Sequence, residues 1–280
     1  MYFTIILALK FVFDKIYSIK GFIMLLTIDI GNTNITLGVF NNNEIIQSWR
    51  LSTDEKRTED EYGVFLKNLL KETNLDKKIT NAVISSVVVQ LTERIEVALK
   101  KYLGIDSLIV SHKVKTNIKL KTDNPSQIGA DRIANACAAA HLYSSPAIVV
   151  DFGTATSFDI VNGKNEFIGG IITAGMRIQA EALSSRTSKL PKLNIEAPEH
   201  AIGRNTIDAM LSGIVRGHAA MIDGLIFECE KELGEKATII ATGGYSSVIS
   251  NYLKRKFDYI NPDLTLIGSK LIFDLNKSNQ

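Results

Sequence analysis

The chain contains the same strand–turn–strand pattern twice, and this duplication limits the folds open to it more than any other feature. Residues 25–40 read LLTIDIGNTNITLGVF, an apolar segment that ends near Asp29, a polar turn and a second apolar segment. Residues 147–167 repeat this plan, with Asp151 in the place of Asp29. Apolar, β-branched runs bounded by Gly and Asn are typical of strands joined by turns. The repeat therefore predicts two similar domains, each opening on such a hairpin.

Each hairpin turn combines an aspartate with a nearby glycine, which suits it to hold a phosphate group. Glycine lets a ligand approach the backbone closely, and the N–H groups of such a turn can bind phosphate oxygens. The carboxylates of Asp29 and Asp151 repel phosphate, so we expect each to hold a cation or a water molecule beside it. Two ordinary Asp-Gly hairpins without a ligand are the alternative, and the residues alone leave it open.

The overall composition excludes some classes of function. The 280 residues carry 32 Lys and Arg against 30 Asp and Glu, a net charge of +2, which gives no electrostatic basis for binding nucleic acid. Cys137 and Cys229 lie far apart and form no disulfide framework, as is typical of a reducing cytoplasm. Four histidines show no metal-ligand spacing, and we expect them to be structural or exposed: His112, His141, His200 and His218.

The first 23 residues are apolar but do not indicate a membrane span. Charged residues interrupt them, so no run reaches the ~18 residues that a spanning helix needs. A basic N-terminal region and an Ala-x-Ala-like cleavage site, the marks of a signal peptide, are both missing. Because a strand pattern follows directly, we expect Met24 to be the natural start and residues 1–23 to be an upstream extension. An appended amphipathic helix is the alternative.

Strands and helices alternate after each hairpin, which indicates an α/β architecture. Apolar residues at helical spacing predict helices at 58–70, 92–103, from 129 onward, 174–183 and 245–257, and one long helix or two consecutive ones at 206–233. Further strands are predicted at 44–51, 82–89, 107–110 and 237–241. Residues 113–128 are polar and contain Asp-Asn-Pro, which predicts a loop.

Six short motifs, in this order, resemble those of one enzyme family. They are DIGNTN at 29–34, GADR at 129–132, DFGTATSFD at 151–159, GGIITAG at 169–175, GRNT at 203–206 and ATGG at 241–244. With them, nearly all of the chain from Met24 onward resembles a type III pantothenate kinase of the actin-like ATPase superfamily. The resemblance implies an α/β fold of two ribonuclease-H-like domains with mixed sheets flanked by helices. We assign residues 24–144 to the first domain and 145–280 to the second.

Enzymes of this family phosphorylate pantothenate with ATP in the first step of coenzyme A synthesis, so the resemblance implies ATP and Mg²⁺. It implies that both turns hold ATP, through Asp29, Ile30, Gly31, Asn32, Thr33, Asn34, Ile35, Thr36 and Thr154. If the two domains oppose one another, we expect Thr154 and Thr156 to face the same cleft, and we expect Asp29 to orient Mg²⁺ through water. By resemblance, Asp151 belongs to a site for a monovalent cation, K⁺ or NH₄⁺. Gly243 and Gly244 would let the base and ribose of the nucleotide approach the backbone.

Asp131 is the predicted general base. It stands at the opening of a helix and beside Arg132, and both effects favour the ionised carboxylate that could accept a proton from a substrate hydroxyl. An aspartate at this place is also an ordinary helix-start residue. The resemblance favours the catalytic interpretation, because the matching residue of the family is the proton acceptor.

The resemblance also implies where the substrate binds. Gly129, Ala130 and Arg132 match substrate contacts of the family, together with Asp131. Thr206 matches a residue that reaches the substrate from the neighbouring subunit, which implies a homodimer with composite active sites. The chain departs from the family pattern at Thr122, where many relatives carry a substrate-contacting Tyr. We keep Thr122 in the predicted pocket.

Two alternatives remain at this point. Another small-molecule kinase of the same fold, such as a sugar kinase, would share the phosphate-binding turns. A non-catalytic nucleotide-binding regulator is the second, although the combination of Asp29, Asp131 and Asp151 favours catalysis. In the favoured interpretation the protein is a cytoplasmic enzyme without nucleic-acid or membrane partners.

Overall fold

The computed structural model describes residues 24–277. The predicted extension at 1–23, and its alternative as an amphipathic helix, therefore lie outside the described residues. Those described form two compact units: the first takes in 24–30, 34–84 and 88–109, and the second takes in 31–33, 85–87 and 110–277. The division into domains after residue 144 stays a prediction.

The first unit is a five-stranded mixed sheet with two helices. Its elements are β1 (Met24–Ile30), β2 (Asn34–Asn41), β3 (Glu44–Ser52), α1 (Glu59–Glu72), β4 (Ile79–Ser86), α2 (Val89–Leu103) and β5 (Ser107–Ile109). The strand order is β3-β2-β1-β4-β5. The first three strands pair antiparallel and β4 pairs parallel with β5, so the first predicted hairpin is present.

The helix ends of the first unit follow from its sequence. Thr58 caps α1: its hydroxyl accepts a hydrogen bond from the Glu61 N–H at 3.3 Å, and the Glu61 carboxylate accepts one from the Thr58 N–H at 2.8 Å. α2 begins at Val89, earlier than predicted, and ends before Gly104, whose φ of 70° is the left-handed conformation that suits glycine. Apolar faces of both helices and of β1 pack into one hydrophobic core.

The second unit contains a six-stranded mixed sheet. Its elements are β6 (Lys119–Leu120), α3 (Ala130–Leu142), β7 (Ala147–Phe152), β8 (Ala155–Val161), β9 (Glu166–Ala174), α4 (Met176–Arg186), α5 (Thr206–Leu211), α6 (Gly217–Leu233), β10 (Thr238–Gly243), α7 (Ser246–Ser250), β11 (Tyr259–Ile260) and α8 (Leu264–Asn276). The strand order is β11-β10-β7-β8-β9-β6, with the second hairpin at β7–β8 and β10 parallel to β7. β6 is a two-residue strand inside the predicted loop at 113–128.

A π-helical segment, Ser212–Arg216, joins α5 and α6 into the single helical run Thr206–Leu233, one of the two predicted forms. By length and composition alone this run could cross a membrane, but half of its apolar window is buried inside the protein, as in a core helix. No other helix among residues 24–277 passes the same test.

The predicted helix at 245–257 is wrong beyond Ser250, where α7 ends. The Asp223 carboxylate accepts hydrogen bonds from the backbone N–H groups of Lys254 and Arg255, at 2.9 to 3.1 Å. These bonds hold the segment outside a helix because they replace the hydrogen bonds that a helix would make.

The sequence analysis also missed α8, which positions α3. At Gly268 of α8 a Cβ atom would lie only 1.9 Å from the carbonyl oxygen of Ala134, so no larger residue fits without a shift of the backbone. The two helices are therefore in close contact at Ala134, just after the GADR motif on α3.

Candidate active site

Asp131, the predicted base, lies in the first turn of α3 after the N-cap residue Gly129. Its Oδ1 accepts a hydrogen bond from the Arg132 N–H at 2.8 Å. Burial raises the pKa of Asp131, against the opposing effects of the Arg132 N–H and guanidinium. The prediction considered only the helix start and Arg132, and burial outweighs them. A raised pKa moves the carboxylate towards the range in which a general base is most effective.

Asp151 lies near the end of β7 and is held by a short chain of polar groups. Its Oδ2 accepts a hydrogen bond from Asn135 Nδ2 at 3.2 Å, and Asn135 Oδ1 accepts one from the Thr265 hydroxyl at 2.8 Å. Burial, and then the negative charge of Asp131, raise the pKa of Asp151 to about 6. The two carboxylates are therefore near enough to interact. Sequence reasoning missed Asn135 and Thr265, whose link joins residues far apart in the chain.

Two interacting carboxylates are a suitable environment for a cation. Within residues 24–277 no group of three or more His, Cys, Asp or Glu side chains is placed to hold a metal. Mg²⁺ keeps several waters and is bound through one or two carboxylates and substrate phosphates. Asp131 and Asp151 of the second unit supply carboxylates in the number that this sparser kind of site uses. The assignments of Asp29 to Mg²⁺ and of Asp151 to a monovalent cation stay predictions.

Arg132 is held by the second sheet. Its Nε donates to Asp159 Oδ1 at 2.5 Å, and its Nη2 donates to the Phe158 carbonyl oxygen at 3.1 Å. Asp159 is fully buried on β8; burial raises its pKa, and the Arg132 guanidinium opposes that effect. The sequence analysis gave Asp159 no role. An aspartate inside the apolar run of a strand was nevertheless a signal, because such a group needs a partner.

The two predicted phosphate-binding turns come together within the second unit, to which residues 31–33 belong. The hydroxyl oxygens of Thr33 and Thr154 lie 2.8 Å apart, at hydrogen-bond distance. Ile30 and Ile35 are buried in the core, so they could meet a ligand only through their backbone. The other predicted residues of the first turn are exposed or half-buried: Asp29, Gly31, Asn32, Asn34 and Thr36.

The family model of type III pantothenate kinase matches residues 25–228, which include the turn residues, Asp131, Arg132 and Asp159. The chain belongs to the type III pantothenate kinase family. Membership of a family of kinases supports phosphoryl transfer as its class of reaction, with ATP as the phosphate donor.

Similar solved structures share the fold with this pantothenate kinase family member. The activator of the 2-hydroxyisocaproyl-CoA dehydratase from Clostridium difficile with bound ADPNP has a TM-score of 0.55 at 13% identity, over 92% of this chain and 97% of that chain. MreB 5 of Spiroplasma citri bound to AMPPNP has a TM-score of 0.54 at 12% identity, over 92% and 98%. A ROK family glucokinase from Streptomyces griseus in complex with glucose and AMPPNP has a TM-score of 0.50 at 13% identity, over 91% and 100%. These likenesses confirm the predicted actin-like ATPase fold.

Thr156 does not face a cleft, contrary to the prediction. It is 1% exposed, and its Oγ1 lies 3.0 Å from His218 Nε2. Gln179 Nε2 lies 2.9 Å from His218 Nδ1 and donates to the Ala174 carbonyl oxygen. Because an amide nitrogen only donates, His218 Nδ1 accepts and its Nε2–H donates to Thr156. Burial lowers the pKa of His218 to about 4, so this histidine is neutral and structural, as predicted.

The remaining predicted substrate contacts differ in their exposure. Ala130 is buried at the start of α3, and the hydroxyl of Thr122 is buried without a hydrogen-bond partner among the residues described. Thr206 is exposed at the start of α5 and lines a largely apolar cavity of about 890 Å³, together with side chains such as Leu183 and Met210.

Gly243 has a reason to be glycine that does not involve a nucleotide. Its φ is 85°, and a Cβ atom there would lie 2.7 Å from Asp151 Oδ1 and 2.6 Å from the Phe152 carbonyl oxygen. The backbone of β10 thus passes directly beside the Asp151 carboxylate. Gly244, the next residue, is exposed in the turn after β10 and stays a predicted nucleotide contact.

Proposed function

We propose that the protein catalyses ATP-dependent phosphorylation of pantothenate to 4′-phosphopantothenate, the first step of coenzyme A biosynthesis. The family match over residues 25–228 carries this proposal, because the substrate follows from the family. The position of Asp131 supports it: a carboxylate with a raised pKa stands in the first turn of α3, beside an arginine and near a second acid, Asp151, whose pKa is also raised.

In the proposed reaction Asp131 accepts the proton of the pantothenate hydroxyl as the oxygen attacks the γ-phosphorus of ATP. The new O–P bond forms while the bond to the β-phosphate oxygen breaks, and ADP leaves with the electron pair. The turn residues, Thr33 and Thr154 among them, hold the phosphates through their hydroxyl and N–H groups. Asp29 would hold Mg²⁺ through water and Asp151 a monovalent cation, K⁺ or NH₄⁺; bound cations neutralise phosphate charge.

The same proposal assigns the acceptor pocket and the assembly. Gly129, Ala130 and Arg132 contact pantothenate, with Thr122 in the place of the family's Tyr. Thr206 reaches the pocket of a second copy, so the enzyme is a homodimer with composite sites; its exposure at the start of α5 supports this. We place the enzyme in the cytoplasm, without nucleic-acid or membrane partners.

The test is ATP turnover by the purified protein with Mg²⁺ and K⁺, with and without pantothenate. We expect pantothenate-dependent ADP release that falls by about 10²- to 10⁴-fold in Asp131→Asn, the usual contribution of a general base. Asp60→Asn is the matched control, because Asp60 also lies in the first turn of a helix and its side chain has Lys101 and Tyr102 as its hydrogen-bond partners within residues 24–277. Its turnover should equal that of the wild type.

Other results would select another function. Full turnover in Asp131→Asn would remove this residue as the base while leaving the kinase. Turnover with a sugar and not with pantothenate would favour another small-molecule kinase of the fold. Tight ATP binding without turnover on either acceptor would favour the non-catalytic regulator.

A further inference from the structure

The guanidinium of Arg132 is fixed on three sides by the second sheet. Asp159 accepts from its Nε, the Phe158 carbonyl accepts from its Nη2, and its Cζ lies 5.5 Å from the centroid of the Phe167 ring. The third nitrogen, Nη1, has no hydrogen-bond partner among the residues described. The side chain is 17% exposed, so part of it remains open to a ligand.

A glycine on the neighbouring strand makes this arrangement possible. Gly170 pairs with Asp159 across β8 and β9. A Cβ atom at Gly170 would lie 2.1 Å from Arg132 Nη2 and 1.9 Å from the Phe158 carbonyl oxygen, the two atoms of one of the hydrogen bonds. Any side chain at this position would occupy the space of the guanidinium. This gives the GGIITAG motif a role that its sequence alone did not suggest.

Among the residues described, Asp159 has one hydrogen-bond partner for its side chain, Arg132. Its Oδ1 binds Arg132, while its Oδ2 is buried without a hydrogen-bond partner in the part of the chain that the structure describes. Burying an ion pair rarely adds stability, because removing both charges from water costs about as much as their attraction returns. Such a pair is better explained by the orientation that it gives to the arginine.

We propose that Asp159, Phe167 and Gly170 form a cradle that fixes Arg132 so that its Nη1 meets the acceptor substrate, which makes Asp159 and Gly170 positioning residues for acceptor binding. This inference rests on the proposed function. An arginine side chain loses much rotational freedom when it binds, and a cradle removes that freedom before the acceptor arrives. The acceptor should therefore bind more tightly, while ATP and the chemical step gain little.

The kinetic test compares Asp159→Asn, which keeps an oxygen for Arg132 Nε but loses the charge, with Asp159→Leu, which loses both. A hydrogen bond to a charged group is worth enough to change an affinity by about tenfold to a hundredfold. We expect the KM for pantothenate to rise about tenfold in the Asn variant and about a hundredfold in the Leu variant. The KM for ATP and kcat should change by less than about threefold, because neither depends on the cradle.

Gly170→Ala tests the space for the guanidinium, with Gly224→Ala as its control because a Cβ at Gly224 meets nothing within 4 Å. Should Gly170→Ala fail to fold, the Asp159 variants still decide the question. An NMR signal of the Arg132 Nε–H, assigned by its loss in Arg132→Lys, gives a readout that needs no turnover. It should be protected from exchange in the wild type and lose that protection in Asp159→Leu.

The outcomes separate the two proposals. An unchanged KM for pantothenate in Asp159→Leu, or an equal rise in the KM for ATP, overturns the cradle while the kinase stands. An unprotected Nε–H in the wild type also overturns it. A wild-type protein that does not phosphorylate pantothenate overturns the proposed function, and with it the assignment of Nη1 to the acceptor.

Discussion

The two hairpins of the repeated pattern share their strand pairing, with a turn that is one residue shorter in the second. In each, the aspartate pairs directly across the hairpin, Asp29 with Thr36 and Asp151 with Ser157. In each, the following strand pair contains a register shift at the corresponding place, in β2 and in β8. Bulges at the same place in two copies of one pattern support their origin by internal duplication, because bulges are retained within families.

Their polar residues differ at one strand pair. Gly38 and Ser48 pair in the first hairpin where Asp159 and Gly170 pair in the second. In the first, the Thr27 hydroxyl donates to the Gly38 carbonyl at 3.0 Å, and the local backbone is satisfied without a charge. In the second, a buried acid binds the guanidinium on α3. The first hairpin forms the same strand pair without an acid, which supports the proposed role of the second pair in binding the acceptor.

The largest effect on stability should come from placing the first hairpin's residue in the second: Gly170 is replaced by serine, and Ser48, at the matching place, by glycine. Gly170→Ser should lower the free energy of unfolding by about 3 kcal/mol, because its Cβ would overlap the Phe158 carbonyl and backbone must move. Ser48→Gly, at an exposed position, should cost at most about 1 kcal/mol. Urea denaturation of both variants measures the difference. Equal losses would show that the two strand pairs are not specialised in this way.

Lowering the pH should destabilise the second hairpin through His218, which is hydrogen-bonded to Thr156. The Thr27 hydrogen bond of the first hairpin contains no group that titrates in this range. The pKa of His218 is lowered from 6.5 to about 4, so between these values the unfolded chain binds a proton that the folded protein does not. The contribution of His218 to the free energy of unfolding should therefore decrease by about 2 to 3 kcal/mol as the pH falls from 6.5 to 4. Burial raises the pKa of Asp151 and of Asp159, which change the stability in the opposite direction, so the contribution of His218 is measured as the difference between the wild type and His218→Asn. His218→Asn should remove this decrease, and His112→Asn, at an exposed position, should retain it. A pH slope shared by all three proteins would contradict the assignment.

The smallest effect should come from Thr27→Val. Val149 stands at the matching place of β7, so this variant makes the first hairpin resemble the second. Loss of one buried hydrogen bond to the Gly38 carbonyl should lower the free energy of unfolding by about 1 kcal/mol. Thr27→Ser keeps the hydroxyl and should recover part of the loss in thermal denaturation. A Val variant as stable as the wild type would show that the bond contributes nothing net.

Local patterns were enough to predict the repeated hairpins, most helices and the place of Asp131 at a helix start. Contacts between distant segments were not predictable. Asn135 meets Thr265 because α3 packs against α8, and Arg132 meets Asp159 because α3 packs against β8. Strand alternation predicts that Thr156 faces the opposite side of β8 from its two neighbours. The sequence did not say which side was the core.

In the proposed cradle, the pairing of Asp159 with Gly170 links the register of β8 and β9 to recognition of the acceptor. Side chains alternate between the two faces of a sheet. A slip of one residue between β8 and β9 would therefore separate Asp159 from Gly170 and remove the cradle that holds Arg132. The bulge between Ile160 and Val161 lies next to this pair and fixes the alignment. A chain with this shifted register could keep most of its sheet and still bind its acceptor weakly. A folding error would then reduce phosphorylation of the acceptor without unfolding the protein.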